Sequence, residues 1–137
     1  MGSVRASFSF STSDVMTADI SLSVGADLLA DSGTISRAKV VKTAVDANAL
    51  EVYTVNDKTE SAYLYLKNLD EVKENYLYIY NDTDSDGLVA KLGGLEFCFI
   101  PVAVDKAYRV YGTRVDSMVE FAVFGLDSSA AGPFNQS

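Results

Sequence analysis

Apolar and polar residues alternate along most of this chain, most regularly between Ser61 and Pro101. In the segment SAYLYLKN, leucines alternate with tyrosines, and the segment NYLYIYND repeats the pattern. Successive side chains of a β-strand point to opposite faces, so each segment predicts a strand with one aliphatic and one tyrosine face. If the polar stretch from Asn68 to Asn75 closes these strands as a hairpin, five tyrosines share one face. These are Tyr63, Tyr65, Tyr76, Tyr78 and Tyr80.

The same alternation predicts strands on both sides of this block, about nine in all. It occurs in ASFSFS, ADISLSV and TISRAKVV before the block, and in KAYRVYGT and SMVEFAVFG after it. No segment of ten or more residues has the apolar period of a helix. The connections are short, which disfavours helical crossovers between parallel strands. We therefore expect an all-β fold, an antiparallel β-sandwich or barrel of jelly-roll-like or Greek-key-like arrangement.

The length of 137 residues suits a single domain. We expect an N-terminal arm or first strand over residues 1–12, a single β-sandwich domain over 13–126, and a flexible C-terminal tail over 127–137. In the predicted strands of the central block and in the last predicted strand, every second residue is expected to point into the core. These residues are Leu64, Leu66, Leu77, Ile79, Phe97, Phe99, Phe121 and Val123.

Composition narrows the classes of function. Eleven basic and nineteen acidic residues give a net charge of -8, which disfavours nucleic acid and anionic membranes as partners. The longest apolar run, Phe97 to Val104, is too short to span a bilayer. Cys98 is the only cysteine and the chain has no histidine, which excludes an intrachain disulfide and a Cys-His metal site. We interpret Cys98 as a small core residue and predict that the protein is not an enzyme.

One acidic segment has part of a calcium-binding pattern. Asp82, Asp84 and Asp86, followed by a glycine, match the opening of a D-x-D-x-D-G calcium loop. The closing glutamate of such a loop would stand at position 93, which is glycine, and Glu96 comes three residues later. An acidic hairpin turn explains the same residues. We predict no cofactor, with calcium at these aspartates as the weaker alternative.

The predicted tyrosine face has three interpretations. It could form an inner face of the sandwich, a subunit or partner interface, or a carbohydrate site, because aromatic rings fill cores, anchor interfaces and stack on sugars. The aliphatic face of the predicted hairpin already supplies one inner face of a two-layer sandwich. We therefore predict that Tyr63, Tyr65, Tyr76, Tyr78 and Tyr80 form an interface.

The segments YLYLKN, NYLYIYND, GGLEFCFIPV, YRVYG and VEFAVFG together resemble small all-β virion proteins of tailed bacteriophages. Within that group, the chain is most similar to head decoration, or cement, proteins. The resemblance covers Tyr63 to Gly125. It implies no catalytic residue. It implies a homo-oligomer, commonly a trimer, that packs onto the major capsid protein and stabilises the head.

The resemblance gives two expectations for function. The first is a capsid decoration protein, made in the cytoplasm of the bacterial host and located on the capsid surface of the virion. The alternative is a binding module of a phage tail or fibre that recognises a host glycan through the tyrosine face.

Overall fold

A computed structural model describes residues 2–11, 13, 21–30, 32–44, 46, 48–54, 59–81, 87–103 and 106–127. Ten β-strands and no helix occur within these ranges, so the described part of the chain has no helix that could cross a membrane. The strands are β1 (Gly2–Ser11), β2 (Ser21–Ala30), β3 (Ser32–Lys39), β4 (Leu50–Tyr53), β5 (Thr59–Asn68), β6 (Leu77–Asn81), β7 (Leu88–Leu92), β8 (Phe97–Pro101), β9 (Tyr108–Gly112) and β10 (Met118–Asp127).

The strands form two four-stranded antiparallel sheets and a two-stranded ribbon. Sheet I has the order β3-β10-β5-β8, and sheet II has the order β4-β9-β6-β7. Strands β1 and β2 pair only with each other, and we call this pair the ribbon. From β3 onward, consecutive strands alternate between the two sheets, except that β6 and β7 are neighbours in sheet II. The predicted all-β sandwich is confirmed.

The core lies between sheets I and II. Leu64 and Leu66 from sheet I, and Leu77 and Ile79 from sheet II, are fully buried in it, as predicted. Its other buried members include Val40, Val52, Tyr53, Ala62, Leu92, Tyr108, Val110 and Val119. The predicted core residues Phe121 and Val123 are partly buried against this cluster.

The predicted facing of β8 is wrong. In the antiparallel pairing of β5 with β8, Leu66 lies opposite Cys98 and Leu64 lies opposite Ile100. Directly paired residues share a face, so Cys98 and Ile100 pack against the core. Phe97 and Phe99 therefore lie on the outer face of sheet I, and Phe97 is 53% exposed.

The predicted hairpin is also wrong. Strand β5 belongs to sheet I and β6 belongs to sheet II, so residues 69–76 cross from one sheet to the other. The buried side chain of Asn68 holds this crossing in place. Its amide donates hydrogen bonds to the carbonyls of Asn75 at 2.7 Å and Leu92 at 3.1 Å, and its oxygen accepts one from the Asp70 N–H at 3.0 Å.

The predicted domain limits at residues 12 and 127 can be placed on the strands. The ribbon contains Ser21–Ala30 as well as Gly2–Ser11 of the predicted arm, and the first strand of the two sheets begins at Ser32. Strand β10 ends at Asp127. The remainder of the predicted tail, residues 128–137, lies outside the described residues.

Candidate functional site

The five tyrosines predicted to share a face lie on opposite sides of the sandwich. Leu64 and Leu66 face Leu77 and Ile79 across the core, so the tyrosines that alternate with them point away from each other. Tyr63 and Tyr65 consequently lie on the outer face of sheet I. Tyr76, Tyr78 and Tyr80 lie on the outer side of sheet II.

Aromatic rings cover part of the outer face of sheet II. Tyr78 and Tyr111 are directly opposite each other on β6 and β9, and their rings stack with centroids 4.8 Å apart. Tyr76 lies beside Tyr78, with ring centroids 6.4 Å apart. The ammonium of Lys91 stands 4.1 Å from the centroid of the Tyr76 ring, a cation–π geometry. We call Tyr76, Tyr78, Tyr111 and Lys91 the tyrosine patch.

Tyr80 is not an exposed part of this surface. Its side chain is fully buried, with its ring centroid 5.5 Å from that of Tyr111. Its hydroxyl donates to the Asp46 carbonyl at 2.8 Å and accepts from the Asp46 N–H at 3.2 Å. Tyr80 therefore holds the backbone of Asp46 onto sheet II, next to the tyrosine patch.

The three tyrosines of the patch are partly exposed, and the Lys91 side chain is exposed. Partial burial, together with the neighbouring Tyr78 and Tyr80, raises the pKa of Tyr111. The patch thus presents three phenol rings and one lysine side chain on a paired strand surface. Tyr111 was not among the predicted site residues, because only the pairing of β6 with β9 brings it next to Tyr78.

The outer face of sheet I carries a different group of aromatic rings. Tyr63 stacks on Phe99 with parallel rings and centroids 6.0 Å apart. Phe8 of the ribbon stacks on Phe97 at 6.3 Å and lies 5.9 Å from Phe99. The ribbon therefore covers part of this face with one of its own aromatic side chains.

Tyr65, on the same face, belongs to a polar triad. Its hydroxyl donates to Glu120 Oε1 at 3.0 Å, and Arg37 Nε donates to Glu120 Oε2 at 2.9 Å. The hydrogen bonds from Arg37 and then from Tyr65 lower the pKa of the Glu120 carboxyl. Burial, followed by the bond to Glu120, raises the pKa of Tyr65.

The triad predicts a contribution to stability that depends on pH. A carboxyl whose pKa is lower in the folded chain stabilises the fold above its unfolded pKa, and this contribution is lost as the pH falls through the folded pKa. We expect Glu120→Gln to lower the midpoint of urea unfolding at about pH 7, and parent and variant to converge towards about pH 3. The change should be small, because the Arg37 side chain is 65% exposed.

Urea titrations of both proteins at several pH values measure this effect. Glu71→Gln is the matched control, since Glu71 is exposed. For this variant, the urea midpoint should change between about pH 7 and about pH 3 by nearly as much as it does for the parent. The prediction would be contradicted if the urea midpoint of Glu120→Gln changed between these pH values by as much as that of the parent.

The acidic residues Asp82, Asp84 and Asp86 lie outside the described residues, so calcium binding there stays a prediction. The structure does describe Gly93 and Glu96, the two positions at which the sequence departs from the calcium-loop pattern. Gly93 stands where the closing glutamate is needed, and its N–H donates to Glu96 Oε1 at 2.6 Å. Glu96 thus accepts a hydrogen bond within the turn between β7 and β8.

The described surfaces offer chemistry suited to binding. In the described ranges, no three His, Cys, Asp or Glu side chains are grouped as metal ligands. Burial raises the pKa of the Cys98 thiol, and the side chain packs against the core as predicted. No family model, curated protein or solved structure matches this chain. Aromatic rings with hydroxyls and a nearby ammonium can anchor a protein surface or stack on a sugar.

Proposed function

We propose that the chain is a non-enzymatic structural protein of a tailed bacteriophage that decorates the head by binding the major capsid protein. The observation that carries the proposal is the tyrosine patch. Tyr78 and Tyr111 are held against each other by direct cross-strand pairing, so little side-chain freedom is lost when they bind. Tyrosine is enriched among the residues that contribute most to protein interfaces.

The order of the strands supports the proposal by analogy. We infer a jelly roll, because the eight strands of sheets I and II cross between the sheets in the manner of two joined Greek keys. Viral capsid and lectin domains use this architecture. A fold by itself does not specify a function, so the proposal rests on the patch and on the resemblance to decoration proteins.

The proposal includes partners and a location. The net charge of -8 disfavours nucleic acid and anionic membranes, and the resemblance to decoration proteins implies the major capsid protein as the partner. The protein is made in the cytoplasm of the bacterial host and resides on the capsid surface as a symmetric oligomer, a trimer being the favoured state. Repeated copies add avidity to each contact.

A second candidate is a tail or fibre module that binds a host glycan through the same patch. The contact of Lys91 with Tyr76 favours it, because the patch combines ring faces with a polar donor. Stacking and hydrogen bonding of this kind suit a sugar ring.

Counting copies in purified virions distinguishes the two candidates. We expect quantitative mass spectrometry to find copies in proportion to the capsid lattice, on the order of hundreds per particle. About a dozen copies or fewer would favour the tail module. Absence from virions would overturn both.

Two single substitutions test the surface itself. Tyr78→Ser should weaken binding to isolated capsids about tenfold or more, because it removes the centre of the patch. Tyr65→Ser is the matched control, since Tyr65 lies on the opposite side of the sandwich, and it should bind as the parent does. Equal binding by parent and Tyr78→Ser in a pull-down titration would show that capsid contact lies elsewhere.

A further inference from the structure

Four loops lie together at one end of the sandwich. Strands β3, β5, β7 and β9 end there, and β4, β6, β8 and β10 begin there, as their antiparallel pairings require. We call this group of loops the loop end, and it consists of residues 40–44, 69–76, 93–96 and 113–117. Every residue of the tyrosine patch belongs to one of these loops or lies within two residues of one. The tyrosine patch and the loop end are therefore adjoining surfaces.

Hydrogen bonds join the four loops to one another. The carboxylate of Asp70 accepts a hydrogen bond from the Ser117 hydroxyl at 3.2 Å, which joins the crossing to the loop before β10. The Asp116 N–H donates to the Val40 carbonyl at 2.9 Å, which joins that loop to the one after β3. Two backbone hydrogen bonds join the turn between β7 and β8 to the crossing, from Gly94 to Lys73 at 3.2 Å and from Leu95 to Asn68 at 2.9 Å. Loops that are already ordered lose little conformational freedom when they bind.

Each of the four loops exposes one large aliphatic side chain. These side chains are Val41, Val72, Leu95 and Val115, and their exposed fractions lie between 45% and 53%. Charged side chains of both signs are exposed in the same loops, namely Glu71, Lys73, Arg114 and Asp116. Exposed apolar side chains surrounded by charged groups are typical of surfaces that contact another protein.

The backbone of Leu95 has an unfavourable conformation. Its φ of 67° lies in the left-handed region, where a bulky side chain crowds the backbone and glycine is preferred. Packing in the core does not explain a leucine at this position, because its side chain is 53% exposed. A residue that suits neither its backbone conformation nor its exposure indicates a role in binding.

The tyrosine patch alone is too small for a stable protein interface. Such an interface takes about 800 Å² of surface from each partner. An aromatic side chain buries about 150–250 Å² when it is covered completely, and the three tyrosines of the patch are already partly buried. A capsid contact at the patch therefore needs neighbouring surface, and the loop end adjoins the patch.

We propose that the capsid-binding surface continues from the tyrosine patch over the loop end, with Leu95 as an apolar anchor. This rests on the proposed function, because the partner is again the capsid protein. The capsid protein supplies an apolar surface for the exposed aliphatic side chains of the loops, with charged groups around it. The outer face of sheet I, which the ribbon covers in part, lies outside this contact.

Leu95→Asn tests the loop end. Asparagine tolerates a positive φ, so the variant should unfold at the same urea concentration as the parent or at a higher one. Its dissociation constant for isolated capsids should nevertheless rise about fivefold or more, because the apolar anchor is lost. Ile35→Asn is the matched control. Ile35 is 73% exposed and borders the ribbon on the outer face of sheet I, so this variant should bind capsids as the parent does.

Comparison with Tyr78→Ser separates the continuous surface from the proposed function. Weaker capsid binding by both Leu95→Asn and Tyr78→Ser supports the continuous surface. Weaker binding by Tyr78→Ser alone overturns the loop end as a contact and leaves the proposed function intact. Weaker binding by Leu95→Asn alone also overturns the continuous surface, because the patch then lies outside the contact. Parental binding by both variants, or no binding by the parent, overturns both proposals.

A second variant and a mass measurement complete the test. Val115→Asn should also weaken capsid binding, and it replaces Leu95→Asn if circular dichroism shows that Leu95→Asn is unfolded. Light scattering without capsids should give the parent and both variants the same mass. A lower mass for either variant would identify a second copy of the chain as the occupant of the loop end and would overturn the capsid contact there.

Discussion

Replacing Asn68 with alanine should lower the free energy of unfolding by about 3 kcal/mol or more. The side chain is fully buried and hydrogen bonds to three backbone groups: the carbonyls of Asn75 and Leu92 and the N–H of Asp70. Each buried group left without a partner costs about 1–3 kcal/mol. The loss should be large because one residue secures the crossing between the sheets and the end of β7.

Urea unfolding monitored by circular dichroism measures this loss. Asn48→Ala is a suitable control, because Asn48 is exposed and such substitutions usually change stability by less than about 0.5 kcal/mol. If Asn68→Ala and Asn48→Ala unfold at the same urea concentration, the amide of Asn68 does not hold the crossing.

The second large effect is expected in the core. Leu64→Ala should lower the free energy of unfolding by about 2–5 kcal/mol, because it removes buried methyl groups and leaves a cavity between the sheets. Leu64 is fully buried, whereas Leu88 on β7 is 48% exposed. Leu88→Ala makes the same chemical change and should cost much less.

Thermal and urea unfolding of both variants compare the two positions. A loss for Leu64→Ala as small as that expected for Leu88→Ala would mean that the aliphatic face of β5 is not the inner face of the sandwich.

Alternation was sufficient to predict the strands and the facing of β5 and β6. In both strands, tyrosines alternate with aliphatic residues, so one face of the strand is aromatic and the other is aliphatic. In β8 the sequence FCFIP places apolar residues on both faces of the strand. Only the pairing of Leu66 with Cys98 determines which face points to the core. The predicted facing of Phe97 and Phe99 failed for that reason.

The candidate site depended on contacts that are distant in sequence. The residues from Asn68 to Asn75 have the polar composition of either a hairpin loop or a crossing between sheets. The hydrogen bond from Asn68 to Leu92 belongs to the crossing, and it joins residues that local chemistry does not connect. Tyr78 and Tyr111 both lie in predicted strands, but local sequence does not indicate that these strands pair. Their contact was therefore not predicted.

The strand order has a consequence for biosynthesis. Strand β10 occupies an interior position of sheet I between β3 and β5, and β9 lies between β4 and β6 in sheet II. Both interior places are thus filled by strands that leave the ribosome late, at a translation speed of about 5–20 residues per second. Until then, the early strands of each sheet have unpaired edges, which are prone to aggregation. Sheets I and II are therefore expected to be completed only after β9 and β10 have been synthesised and, like other folds dominated by long-range pairing, to form in milliseconds to seconds.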